Sequence, residues 1–203
     1  MARNLTQIHD DAYIPPELIA LTHESVTPEQ FEELCREYRK LRLELTSTGE
    51  LIVMPPTGAE TGRQNFNLIS QLAAWFGQHG SGVCFGNTAG FILPNGAIRA
   101  PDASWIEGEK WDSLTNQQKK RFGPWCPDFV VELSSPSDRL SELRNKMVEY
   151  MENGASLGWL IDPIKRQVYV YKPNEETVVL ENPETVSGDP LLPGFKLDLA
   201  ELW

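Results

Sequence analysis

The chain has 203 residues, 40% of them hydrophobic, with 29 acidic against 18 basic side chains and a formal net charge of −11. That length fills one sizeable core, and no apolar run nears the roughly 18 residues of a membrane helix, so a membrane-spanning role is excluded. An acidic surface, with a pI near 4.8, repels phosphodiester backbones, and any nucleic-acid role must rest on a local basic patch or a metal ion.

Taken in chain order, residues 1–26 are polar around "YIPPEL" and read as an N-terminal arm, with 27–203 as a single domain. The start "MARNLTQIHDDAYIPPEL" lacks the apolar middle of a signal peptide, so the expected compartment is the cytoplasm. In "TPEQFEELCREYRK", Thr27 as N-cap and Pro28 at the first helical position predict a helix to about Lys40. "LRLELTSTGELIVMPP" alternates on both sides of Ser47 to Gly49 and predicts a hairpin. A second helix over "AETGRQNFNLISQLAAWFGQHG" places Ile69, Leu72, Ala73 and Phe76 at helical spacing and stops at Gly80. Short strands follow at "GVCFG", "GFILP" and "PDASWIE", then a polar loop with a short helix at "GEKWDSLTNQQKKRFGPW".

"DFVVELS" reads as a buried strand, and "DRLSELRNKMVEYMENG" as an amphipathic helix with Leu140, Leu143, Met147, Tyr150 and Met151 on one face and a stop at Asn153-Gly154. "LGWLIDP" and "RQVYVYKP" pair around "IKR". One more strand at "ETVVLE" and a terminal segment docking through apolar residues complete an α/β domain. Cys35, Cys84 and Cys126 are odd in number and lack a CxxC pair, which predicts reduced thiols packed in the core, with neither a zinc site nor disulfides.

The buried strand raises a question of charge. Glu132 lies among Phe129, Val130 and Val131, where an unpartnered carboxylate costs several kcal/mol. Alternation puts Asp128, Val130, Glu132 and Ser134 on one face of that strand, and Asp102 with Ser104 on one face of "APDASWI". If the two strands are neighbours, Asp102 and Glu132 face one pocket and can share a divalent cation, a hard oxygen site suited to Mg²⁺ or Mn²⁺. Hydrolysis of a phosphodiester also needs a positive group, and Lys146, on the shoulder of the apolar stripe of the following helix, is the candidate.

Each residue also has a plainer reading. Asp102 could cap a turn, Glu132 could pair with Arg99 or Arg144, and Lys146 could lie along the helix surface toward water. Asp128 and Asp138 read as caps, and His9, His23 and His79 lie far from the motif strands. Ser134 and Ser135 have no nearby histidine and no GxSxG, which argues against acyl transfer.

Pro101-Asp102, an interval of 132 − 102 = 30 residues, and "VELSS" resemble the PD-(D/E)xK nuclease superfamily. With "RAPDASWI", "CPDFVVELSSPSDRLSELRNKMVEYMENGASLGWLIDP", "VYVY" and "LPGFKLDL", the chain is similar from about Glu24 onward to a bacterial family of restriction-endonuclease-like proteins catalogued as a domain of unknown function. The resemblance implies a restriction-endonuclease-like core, a mixed central β-sheet flanked by helices, and Mg²⁺-dependent cleavage of nucleic acid, DNA foremost. It makes Asp102 and Glu132 metal ligands. The lysine missing from the Ser134 slot would have migrated to Lys146. Superfamily members often add an acidic residue from the helix ahead of the strands, for which Glu60 is available, although a regular helix puts Glu60 opposite Ile69. With no second DNA-reading module in the sequence, cutting both strands would require a homodimer or repeated nicking. The alternative is a nuclease-fold binding or interaction protein without turnover, which the acidic pI and the serine at 134 favour.

Overall fold

The computed structural model describes residues 14–54 and 56–203, and the chain divides into two compact units, Met1–Thr57 and Gly58–Trp203. In the first, α1 (Pro16–Leu21) and α2 (Pro28–Glu37) precede an antiparallel hairpin of β1 (Arg42–Leu45) and β2 (Leu51–Met54). Thr27 Oγ1 accepts from the Gln30 N–H at 3.3 Å, and Gln30 Oε1 accepts from the Thr27 N–H at 2.8 Å. This reciprocal capping box satisfies two amides at the start of α2. Sequence sets its one boundary at 26/27, whereas the compact units divide at Thr57/Gly58. The described part of the expected arm is packed: Leu18 and Val26 are buried, and the Val26 N–H donates to Gly49 O at 2.8 Å. Residues 1–13, with His9, lie outside the described residues, as does the side chain of His79; His23 is exposed.

The second unit is built on a six-stranded mixed sheet. Its strands run in the order β10 (Val178–Glu181), β9 (Gln167–Tyr171), β8 (Leu157–Asp162), β7 (Phe129–Leu133), β6 (Ala103–Ile106), β3 (Val83–Gly86). Only β7 and β8 are parallel, joined by the crossover helix α5 (Leu140–Glu152); the other neighbours are antiparallel. The long helix α3 (Ala59–His79) ends where Gly80 takes φ 66°, a left-handed conformation that glycine adopts without a Cβ clash. A β4 (Phe91–Ile92) and β5 (Ile98–Arg99) hairpin precedes β6. The polar insertion before β7 holds α4 (Gly108–Asp112) and a 3₁₀ turn at Gln118–Lys120, and β11 (Thr185–Ser187) pairs with β12 (Lys196–Asp198) near the end of the chain. β5, β11 and β12, each two or three residues long, go beyond the strands expected from the sequence.

Alternation along β7 divides the core in two. Phe129, Val131 and Leu133 join Leu68, Leu72 and Trp75 of α3 and the terminal residues Phe195, Leu197, Leu199 and Leu202 on one side. Val130 faces the other way, with Met147 and Tyr150 of α5 and Leu160 of β8. The Met147 and Met151 methyls of α5 fill the space over Gly158 of β8: a Cβ there would stand 2.5 Å from Met147 Cε and 2.9 Å from Met151 Cε.

Candidate active site

β6 and β7 are adjacent and antiparallel, with Ala103 opposite Val131 and Ser104 opposite Val130. Extending this register by one residue puts Asp102 opposite Glu132, so the two carboxylates sit on the same face of the sheet at the end where β7 finishes. Both are buried, Glu132 at 3% exposure. Asp102 is held from two directions: its N–H donates to Val131 O at 3.0 Å, and its Oδ2 accepts from the Leu133 N–H at 2.9 Å. Proline at 101 suits this place, since the strand begins only after it.

The charge of Glu132 is met from α5. Lys146 Nζ stands 2.8 Å from Glu132 Oε1, and the Tyr150 hydroxyl donates to the same oxygen at 2.9 Å. Lys146 and Tyr150 are four residues apart and therefore share one face of the helix. The ammonium also lies 5.9 Å from the Tyr150 ring centroid. With its side chain only 11% exposed, Lys146 is an ion-pair partner and does not extend into water. Of the two arginines named as alternative partners, Arg144 lies over the Tyr169 ring at 4.5 Å and Arg99 Nε pairs with Glu149 at 2.6 Å. Arg99 still bears on the site. The Arg99–Glu149 bridge, the Asn95 amide donating to Glu149 Oε1 at 3.0 Å and the Asn95 N–H donating to Asn153 Oδ1 at 2.8 Å tie α5 to the β4–β5 hairpin. They fix the helix within one turn of Lys146.

Glu60 is placed differently. It is exposed in the first turn of α3 and paired with Arg63 at 2.7 Å, and Arg63 also reaches Glu201. The Arg63 hydrogen bond holds its carboxyl below the usual range. Among the described residues no group of three or more His, Cys, Asp or Glu is arranged to hold a metal, so Glu60 does not join Asp102 and Glu132 in such a cluster. The helical register that put it opposite Ile69 already pointed away from the core. Asp128 accepts from the Glu107 N–H at 2.9 Å and pairs with Lys110, while Asp138 accepts from the Ser135 N–H and hydroxyl at 2.8 and 2.7 Å, so both fasten loops. Tyr150 is the site residue that sequence reading took for core. The signal was present as a tyrosine one turn beyond the lysine, on a stripe that faces a strand carrying an acid.

The donor chemistry suits Mg²⁺ or Mn²⁺. Two opposed carboxylates form an all-oxygen set too small to enclose an ion, which is how Mg²⁺ is commonly held while it keeps several waters.

A six-stranded mixed sheet flanked by helices is a restriction-endonuclease-like architecture. The chain belongs to the family Uma2, described as "Putative restriction endonuclease", whose model matches residues 28–200. Among solved structures it is similar to a protein from Anabaena variabilis ATCC 29413 titled a "putative nuclease belonging to DUF820". That likeness has a TM-score of 0.69 at 20% identity and covers 82% of this chain and 90% of the other, which is a likeness of fold. No curated protein matches the chain. Among the described residues no helix is long and apolar enough to cross a membrane.

Proposed function

We propose that the protein is a metal-dependent nuclease that hydrolyses phosphodiester bonds of nucleic acid, with DNA as the first substrate to test. The observation that carries this reading is the register that sets two buried carboxylates, Asp102 and Glu132, opposite each other on neighbouring strands, with Lys146 of the following helix 2.8 Å from Glu132.

In this reading Asp102 and Glu132 hold the cation. When bound, Mg²⁺ or Mn²⁺ supplies positive charge to the phosphate and makes water a better nucleophile. Lys146 orients the attacking water and offsets charge that builds on the phosphorus, because its ammonium is already fixed beside Glu132. Tyr150 keeps the Glu132 carboxylate in place, and the Leu133 N–H does the same for Asp102. Water adds to phosphorus as the P–O ester bond breaks, leaving one end as a phosphate monoester and the other as a hydroxyl. Cutting both strands would take a homodimer or two successive nicks.

The test is nicking of supercoiled DNA, with labelled RNA in parallel, in Mg²⁺ and in Mn²⁺. Wild type should cut, and Asp102→Asn or Glu132→Gln should each lower the rate by roughly 10²-fold or more. Calorimetric Mn²⁺ binding should be lost in Asp102→Ala and in Glu132→Ala. A wild type that cuts neither polymer in either metal would favour the binding protein without turnover. Cutting that survives in the double variant would reject this site.

A further inference from the structure

The β8–β9 connection, "PIKR", carries Ile164 at 70% exposure beside exposed Lys165 and Arg166. Neither cation is ion-paired among the described residues. The turn is held firmly: Asp162 Oδ1 accepts from the Ile164 and Lys165 N–H groups, each at 3.1 Å, and the Asn182 N–H donates to Arg166 O at 2.7 Å. The nearby Glu181 is engaged by the Gln167 amide at 2.9 and 3.1 Å. In a chain of net charge −11, two adjacent cations without an ion pair, next to an exposed apolar tip, make a local basic patch.

The sheet topology gives their position. β8 runs parallel to β7, with Leu160 opposite Glu132 and the Ser134 N–H donating to Ile161 O at 2.9 Å. Both strands therefore end at the same edge, where Asp102 also lies. Asp162 is two residues beyond Leu160, so the turn begins about 7 Å past Glu132 along the sheet and one strand, about 4.8 Å, to the side. The longest run of adjacent cations, Lys119–Lys120–Arg121, sits instead in the β6–β7 connection, at the opposite end of those strands.

We infer that the β8–β9 hairpin tip is the contact that holds the nucleic-acid backbone over Asp102 and Glu132, with Lys165 and Arg166 on phosphates and Ile164 packed against sugar or base. The inference rests on the nuclease reading and names the surface through which an acidic protein reaches its substrate. Each cation that neutralises a phosphate releases counterions, so each contributes about 0.9 to the slope of log affinity against log salt on duplex DNA.

The experiment is fluorescence anisotropy of the full chain with a labelled DNA duplex and a labelled RNA, without divalent metal, from about 50 to 200 mM salt. Lys165→Ala/Arg166→Ala should lower the duplex slope by about 1.8, and weaken binding most at low salt. Ile164→Ser should weaken binding about tenfold with the slope kept, within what loss of one buried aliphatic contact produces. Lys120→Ala/Arg121→Ala should leave the slope unchanged. A wild type that binds, with a double variant of unchanged slope, overturns the inference and leaves the nuclease standing. An equal fall in the Lys120/Arg121 control means diffuse attraction and also overturns it, and unaltered binding in Ile164→Ser overturns its apolar half. A wild type that neither binds nor cuts either polymer overturns the nuclease reading and this inference together. Ile164-dependent binding to phosphatidylserine vesicles with none to DNA or RNA would assign the tip to lipid and reject the inference.

Discussion

The two faces of strand β7 are made by the same five residues and behave as different materials. One face presents Phe129, Val131 and Leu133 to α3 and the chain end, where Trp159, Phe195 and Trp75 pack ring against ring; the Trp159 and Phe195 rings stack at 5.8 Å. The other presents Val130 and Glu132 to α5, and the carboxylate is answered by an ammonium and a phenol on one oxygen. On the first face stability comes from area removed from water, which is insensitive to orientation. On the second it depends on atoms placed within tenths of an ångström, since a buried charge whose partner is removed is worse than no charge. A strand edge can hold a site because the opposite face supplies the stability the site does not.

Substitutions on the two faces should therefore fail differently. Phe129→Ala, on the dry face, should cost about 3–5 kcal/mol in urea or thermal unfolding, while the protein that remains folded keeps its specific nuclease rate. A rate lost in proportion to more than the unfolded fraction would break the distinction. Lys146→Met, on the polar face, should cost about 3 kcal/mol by removing the ammonium paired with buried Glu132, and should also lower the nicking rate by roughly 10²-fold. Lys146→Met/Glu132→Gln should recover much of that stability and none of the rate, so unfolding and nicking measured on the same three variants separate fold from chemistry. A smaller effect is expected from Tyr150→Phe, which removes one hydrogen bond to a charged oxygen and little volume. It should cost about 1.5–3 kcal/mol, with Mn²⁺ affinity at Asp102 and Glu132 lowered and its pH dependence displaced. Unchanged Mn²⁺ titrations at several pH values would make Tyr150 part of the core alone.

The smallest effect concerns the cysteines. Burial pushes the Cys84 and Cys126 thiols up to about 12, and burial with the Glu32 charge pushes Cys35 up to about 11, from an ordinary value of 9.0. A raised thiol pKa keeps the neutral form in the folded protein at pH 8–9, where the unfolded chain begins to ionise. Alkylation by iodoacetamide at pH 8.5 should therefore be slow in buffer and fast in urea. The linked stability is present below about pH 9 and declines as the pH rises toward 11, because the unfolded thiols then release protons that the folded ones keep. Cys126 is buried and Cys35 and Cys84 are half-buried, so rapid labelling of native Cys126 at pH 8.5 would contradict its placement.

Much of the site could be read from one dimension. The Pro101-Asp102 start, the acid two residues before Ser134 and the lysine on the next helix are local patterns, and the two-residue period of a strand fixes which residues share a face without knowledge of the neighbours. The capping box at Thr27 and the stop at Gly80 are local for the same reason: their hydrogen bonds and backbone angles close within a few residues. What strand lies beside what strand is not local. Only the tertiary structure put Asp102 opposite Glu132, because that register depends on contacts 30 residues apart in the chain. Only it gave Glu132 to Lys146 and Tyr150 and Arg99 to Glu149, pairings between residues far apart in the chain. Glu60 shows the limit from the other side: its helix was legible, but whether its carboxylate turned inward depended on Arg63 and on Glu201 at the far end of the chain. Periodicity assigns a side chain to a face, and long-range packing decides which partner that face meets.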